Sequence, residues 1–288
     1  MREGLKARLL SGSLLGGGFI AAFIWAEEPF AMAVLAGLLI LGLREFYSLL
    51  DAARIPNFRI LGTAASLLLL AGVWADHRFV RSASALQWET LALFLGVFAV
   101  FLRQFYQTGN GRPLETMAGT LLGLLYIGFF LTFYARILFA WGEMSGRWLL
   151  LYMVAVVKFT DIGAYFIGCR FGRHKLIPRI SPAKTWEGCI GGMATALLLS
   201  LIVRWVGGDS LGGIPFTWRD ALLLPPLLSV AGIFGDLMES LLKRSAGLKD
   251  SGGLFIGMGG LLDVIDSLLP SAAVLYWYAI LLMKPHGI

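Results

Sequence analysis

The sequence predicts an all-α, polytopic integral membrane protein, and three observations carry that expectation. Hydrophobic residues make up 58% of the 288 residues and charged residues only 15%, at a mean hydropathy of +0.77. Soluble domains hold roughly 45–50% apolar residues. Apolar runs of about 15 to 20 residues recur along the chain, the length a helix needs to cross a hydrocarbon core about 30 Å thick. Lys and Arg, finally, are shared unevenly between alternate loops.

About nine such runs follow one another. The first, Leu9–Ala26, comes after the basic stretch MREGLKAR; it is long and lacks a convincing small-x-small cleavage site, so it reads as a membrane span rather than a signal peptide. Pro29–Leu43, Ile60–Ala75, Leu91–Phe105 and Met117–Tyr134 come next, joined by short loops. Trp148–Gly168, Gly188–Val206, Ala221–Leu242 and Leu261–Met283 complete the set. With a cytoplasmic N-terminus the inside loops hold Arg2, Lys6, Arg8, Arg44, Arg54, Arg59, Arg103, Arg112, Arg170, Arg173, Lys175, Arg179, Lys184, Lys243, Arg244 and Lys249. The outside holds only Arg78, Arg81, Arg147, Arg219 and Lys284, which by the positive-inside rule orients the chain N-in and C-out. Gly168/Gly172 and Gly188/Gly192 stand at GxxxG spacing, which lets helices approach closely.

Several chemistries are excluded. Cys169 and Cys189 lack CxxC spacing, so neither a disulfide framework nor a zinc site is expected. The net charge of +6 sits beside apolar spans rather than among stacking aromatics, which points to anionic headgroups or an anionic substrate and away from nucleic acid. There is no GxxxxGK[ST] loop or HExxH, and His77, His174 and His286 are scattered, so a nucleophilic triad is a poor reading.

The polar residues gather after Lys158, at one end of the spans. Asp236, Glu239 and Lys243 follow i, i+3, i+7 spacing, one stripe on a helix, and Asp263 and Asp266 repeat the i, i+3 step at the start of the last run. A charged side chain at the bilayer centre costs about 2.5–3.5 kcal/mol on insertion scales, so these acids must be paired, solvated or metal-bound. Asp236 and Glu239 could merely neutralise Lys243 and Arg244 at the interface, but that leaves Asp263 and Asp266 unexplained. Alternatively the carboxylates hold Mg²⁺, a hard cation bound through a few carboxylates plus substrate phosphates, while Lys243, Arg244 and Lys249 face those phosphates. A second cluster runs from Asp161 to Gly188. Ser181-Pro182 reads there as an N-cap with proline at the first helical position, a start suited to phosphate, with Lys184 and Thr185 adding to the grip. A plain helix start in a basic loop explains the same pair. Asp161 is either a lone satisfied acid or part of the same site.

SPAKTWEG (Ser181 to Gly188), the preceding DIGAYFIGCRFGRHKL, and GDLMESLLKRSAGLKDSGGLF followed by GMGGLLDVIDS together resemble the phosphatidate cytidylyltransferase (CDP-diacylglycerol synthase) family. The resemblance covers roughly residues 155 to 270. It departs at three positions: Ile256, Met258 and Val264 stand where proline, histidine and arginine are usual, while Gly257, Gly259, Gly260, Asp263 and Asp266 are kept. The resemblance implies reaction of CTP with phosphatidic acid to give CDP-diacylglycerol and pyrophosphate at the membrane–cytoplasm boundary of the cell membrane. It implies Asp236 and Asp263 as the foremost metal ligands, with Glu239, Asp250 and Asp266 in support. Lys243, Arg244 and Lys249 would bind phosphates; Ser181, Lys184 and Thr185 would contribute from the other loop, and Glu187 would orient Lys184 or a metal-bound water. Mg²⁺ is the implied cofactor, and a second metal, a monovalent cation or a homodimer is compatible with it. The chain reads as one membrane domain, 1–288, with scaffold or dimerisation helices in 1–147 and catalytic helices and loops in 148–288. Rival readings are a cytidylyltransferase for another lipid phosphate, a CTP-dependent lipid kinase, an inactive homologue and, from a different class, an ion-coupled transporter, which would want a midplane site and repeats.

Overall fold

The computed structural model describes the whole chain except residues 1–26, 80–86, 142, 249–250, 253–259 and 284–288. The first expected span lies outside the described residues. The other eight runs all appear as helical segments long and apolar enough to cross a membrane, so the protein is an all-α polytopic membrane protein.

In chain order the elements are α1 (Glu28–Ala52), α2 (Arg59–Phe79), α3 (Trp88–Phe105), α4 (Pro113–Gly123), a π-helical stretch (Leu124–Phe129), α5 (Phe130–Ala140) and α6 (Glu143–Phe171). A hairpin of β1 (Lys175–Ile177) and β2 (Ser181–Thr185) leads into α7 (Trp186–Gly207). A second, two-residue hairpin of β3 (Ser210–Leu211) and β4 (Ile214–Pro215) precedes α8 (Trp218–Ser245), α9 (Leu262–Ile265) and α10 (Leu268–Leu282). Two apolar runs are therefore not single α-helices. Met117–Tyr134 widens into a π turn at its centre, and Leu261–Met283 breaks at Asp266 and Ser267. Proline lacks an N–H, so α1 and α4 accept it in their first turns, whereas α8 carries Pro225 and Pro226 in its interior, as helices packed in membranes tolerate.

The described residues form two compact units. One takes in residues up to Arg136 together with Leu242–Val264; the other takes in Ile137–Leu241 and the residues from Ile265. The first unit is centred on Leu35, Leu39, Leu43 and Phe46 of α1, Leu69 of α2, and Leu124 and Ile127 of the π turn, all buried. Tyr47 donates its hydroxyl to the Thr120 carbonyl at 3.2 Å, and Arg136 pairs with Glu89. The second unit buries Leu149, Met153 and Val156 of α6, Leu224 and Leu228 of α8, and Leu269, Ala272 and Leu275 of α10.

α6 and α7 pack closely because glycine lines their seam. A Cβ at Gly192 would stand 2.5 Å from the Thr160 carbonyl oxygen, one at Gly188 would stand 2.9 Å from that of Ala164, and one at Gly163 would overlap the Thr195 side chain. The small residues read as packing sites therefore do that work. Large apolar side chains such as Phe94, Phe98, Trp205 and Leu281 point outward, as lipid-facing helices require.

Candidate active site

The second unit assembles a site where α6, β2, α7 and α8 meet. A cavity of about 520 Å³ is lined by Asp161, Ala164, Tyr165, Gly168, Cys169 and Gly172 from α6 and the residue after it, and by Lys175 of β1. Ala183, Lys184 and Thr185 of β2, Gly188 and Cys189 of α7, and Ile233 and Asp236 of α8 close it. Lys184 reaches across to α8, where its Nζ stands 2.7 Å from Asp236 Oδ2 and 3.5 Å from the Ile233 carbonyl oxygen. Asp236 Oδ1 accepts from the Ser240 hydroxyl at 3.3 Å. Two segments far apart in sequence, SPAKTWEG and GDLMES, are thus joined by an ion pair.

The local fold of SPAKTWEG differs from the helix start that Ser181-Pro182 led us to expect. Ser181–Thr185 is a strand, paired antiparallel with β1 through Ile177 and Ser181 and through Lys175 and Thr185. The residue before proline favours extended backbone, and proline is tolerated on an edge strand, so the pair fits a strand as well as a helix start. The true N-cap is Thr185, whose Oγ1 accepts from Gly188 N at 3.1 Å. Ser181 stands at the opposite end of β2 from the cap.

Glu187 is also placed differently. Its carboxylate accepts from the backbone N–H groups of Arg173 at 3.1 Å and His174 at 3.2 Å, and meets His174 Nδ1 at 2.6 Å. It ties down the start of the hairpin rather than orienting Lys184.

Two further acids, Asp161 and Asp266, lie near the Lys184–Asp236 pair. Asp161 lies 3.6 Å from Lys158 on the same helix, and Asp161, Asp236 and Asp266 are within electrostatic reach of one another. Asp266 is buried, with Ser267 N donating to Oδ1 at 2.5 Å. Gly235 makes that proximity feasible, since a Cβ there would overlap the Asp266 carbonyl. Glu239, one turn along from Asp236, is also buried.

The first unit holds the rest. Lys243 is buried with its Nζ 2.5 Å from Asp263 Oδ1, so its ammonium meets a carboxylate rather than standing open to a phosphate. Asp263 Oδ2 accepts from Ser251 N at 3.1 Å, Ser251 Oγ at 2.8 Å and Gly260 N at 2.7 Å. Arg244 is exposed and donates to the Leu248 carbonyl at 3.2 Å, in a turn that ends α8 at Gly247 with φ +70°. Only glycine takes that conformation at little cost. Lys249, Asp250, Ile256 and Met258 lie outside the described residues, and Val264 is in α9.

Sequence reasoning missed Glu45, a buried acid on α1 whose oxygens accept from Leu261 N and Leu262 N, each at 2.9 Å. Its only signal was a lone carboxylate just past the end of an apolar run. Tyr165, Cys169 and Lys175 were missed as cavity-lining residues, because no spacing marks them.

Among the described residues no three His, Cys, Asp or Glu side chains converge as a ready-made metal cluster. What the geometry defines is a multi-span helical membrane protein with lysine–carboxylate pairs and an open cavity between helices. The chain belongs to the cytidylyltransferase family, whose model matches residues 6–282. It is 38% identical over 196 residues to a phosphatidate cytidylyltransferase of Brucella suis biovar 1 (strain 1330), covering 68% of this chain and 67% of the relative. The phosphatidate cytidylyltransferase of Bacillus subtilis (strain 168) is 32% identical over 275 residues, 95% of this chain and 97% of the relative. That of Haemophilus influenzae (strain ATCC 51907 / DSM 11121 / KW20 / Rd) is 32% identical over 296 residues, covering 96% and 100%.

Proposed function

We propose that this protein transfers the cytidylyl group of CTP to phosphatidic acid, giving CDP-diacylglycerol and pyrophosphate. Among the structural features, the Lys184–Asp236 pair at the cavity supports this most directly: a cation and a carboxylate side by side are what a triphosphate and its counter-ion need. Family membership points the same way. A phosphate oxygen of the lipid attacks the α-phosphorus of CTP; the new P–O bond forms as the bond to the β-phosphate breaks, and pyrophosphate leaves. No protein nucleophile takes part. Phosphoryl-type transfers depend mainly on positioning and charge stabilisation, and Lys184 and Lys175 at the cavity supply positive charge for it.

The donors suit Mg²⁺. Asp236 and Asp263 each hold a lysine ammonium, so each carboxylate is disposed to hold a cation, and Mg²⁺ needs only one or two carboxylates beside substrate phosphates. We assign Asp236 as a ligand in the second unit, where Asp161 and Asp266 shape the surrounding charge, and Asp263 as the corresponding carboxylate of the first unit. When bound, the ion would neutralise the triphosphate and the departing pyrophosphate. Ser181 and Glu187 act through the hairpin they build, and Thr185 through the helix start it caps. By the charge bias of the loops this site faces the cytoplasm, where a soluble nucleotide meets a lipid whose chains stay in the bilayer. A homodimer is compatible with this arrangement.

The test is pyrophosphate release together with lipid-product mass from purified protein in detergent, with CTP, phosphatidic acid and Mg²⁺, beside Asp236→Asn. CDP-diacylglycerol from the parent protein and its loss in the variant is the expected result. Folded parent protein that makes none overturns the proposal. Val264, where the family usually has arginine, favours one second reading, a different lipid phosphate as acceptor; a cytidylylated lipid of another mass would show it.

A further inference from the structure

Glu45 is only 7% exposed and has no part in the reaction proposed above. Its Oε1 accepts from Leu261 N and its Oε2 from Leu262 N, both at 2.9 Å, and the Ser251 hydroxyl lies 3.5 Å from Oε2. Asp263 grips the same turn through Gly260 N, Ser251 N and Ser251 Oγ. Two carboxylates, from α1 and α9, therefore take the N–H groups of three consecutive residues, with Ser251 between them. N–H groups at a helix start have no partner within the helix, so carboxylates are suited to satisfy them. The glycines confirm how closely the parts meet. A Cβ at Gly260 would overlap the Glu45 carboxylate and the Ser251 hydroxyl, and one at Gly252 would stand 2.8 Å from Glu45 Oε1.

We propose that Glu45 is a positioning residue for Asp263. By holding Leu261 and Leu262 it fixes the turn whose remaining donors saturate Asp263 Oδ2, and this leaves Oδ1 as the oxygen that faces a cation, Lys243 in this structure. The proposal rests on the cytidylyltransferase reading, because that reading gives Asp263 its part in the chemistry. Glu45→Gln keeps the side chain's size but turns an N–H₂ group toward one backbone N–H; Glu45→Asp keeps the charge but shortens the reach.

The experiment uses the full-length protein in detergent and reads two quantities for Glu45→Gln, Glu45→Asp and Glu45→Ala. The first is steady-state CDP-diacylglycerol synthesis with CTP, phosphatidic acid and Mg²⁺; the second is hydrogen exchange at the amides of Leu261 and Leu262. Residues that orient metal-binding carboxylates typically contribute 10–100-fold to activity. We expect kcat to fall by about 10–100-fold in the Ala and Gln variants with KM for CTP changed less than about threefold, partial rescue by Asp, and faster exchange at both amides. Unchanged exchange in Glu45→Ala overturns the contact, and faster exchange with an unchanged kcat overturns the positioning role. If the Ala variant does not fold, Gln decides by the same readings. Parent protein that makes no CDP-diacylglycerol would count against the reaction instead, and the exchange data would still decide whether Glu45 holds the turn.

Discussion

Lys184 and Asp236 form an ion pair that is neither fully buried nor free in water, with side chains 22% and 35% exposed. Such a pair can open for a phosphate without stranding either charge in hydrocarbon. Replacing the lysine should therefore affect turnover more than folding. For Lys184→Met we expect kcat/KM for CTP to fall by roughly 10²-fold, the size of effect seen when one preorganised charge-stabilising donor is lost, with the melting temperature in detergent nearly unchanged. A parent-like rate would remove Lys184 from the site. Thr185 presents the opposite case, since its hydroxyl is used by Gly188 N. Thr185→Ala should lower stability by about 1 kcal/mol, the usual cost of losing a threonine cap, while Thr185→Ser should restore it in the same thermal melt.

Among the elements, the seam between α6 and α7 places the cavity walls. Gly168 and Gly172 face Thr185, and Gly188 and Gly192 face Ala164 and Thr160, so the two helices and the hairpin between them are held at near-backbone distance. Enlarging a residue there forces the helices apart. We expect Gly192→Leu to destabilise by about 1–3 kcal/mol, as overpacked interiors do, and to reduce CTP binding because the cavity lies on the same seam. Gly207→Ala is the control: a Cβ there meets nothing within 4 Å, and its melting temperature should match the parent. Equal melting of both variants would show that the seam is looser than its geometry indicates.

At the scale of the whole molecule, the basic residues predict which side of the membrane bears the hairpin. In a protein carrying Cys169→Ala, a cysteine placed at exposed Arg173 should react with a membrane-impermeant thiol reagent in inverted vesicles and not in right-side-out ones. The reverse pattern would put the hairpin outside and separate the site from cytoplasmic CTP.

Composition and hydropathy determined that this is a multi-span membrane protein, because crossing hydrocarbon demands a run of apolar residues, which is a property of the chain read in one dimension. The i, i+3, i+7 spacing of Asp236, Glu239 and Lys243 was legible for the same reason: they share one helix, as α8 bears out. The SPAKTWEG and GDLMES segments could be singled out, but not the local fold of the first. A Ser-Pro pair suits a strand as well as a helix start, and pairing with Lys175–Ile177 decided between them. Only the tertiary structure showed that Lys184 meets Asp236, that Lys243 meets Asp263, that Glu187 serves His174, and that Glu45 satisfies Leu261 and Leu262 from more than two hundred positions away. The physical reason is that a buried carboxylate must find donors wherever packing brings them, and packing joins residues that no spacing along the chain relates.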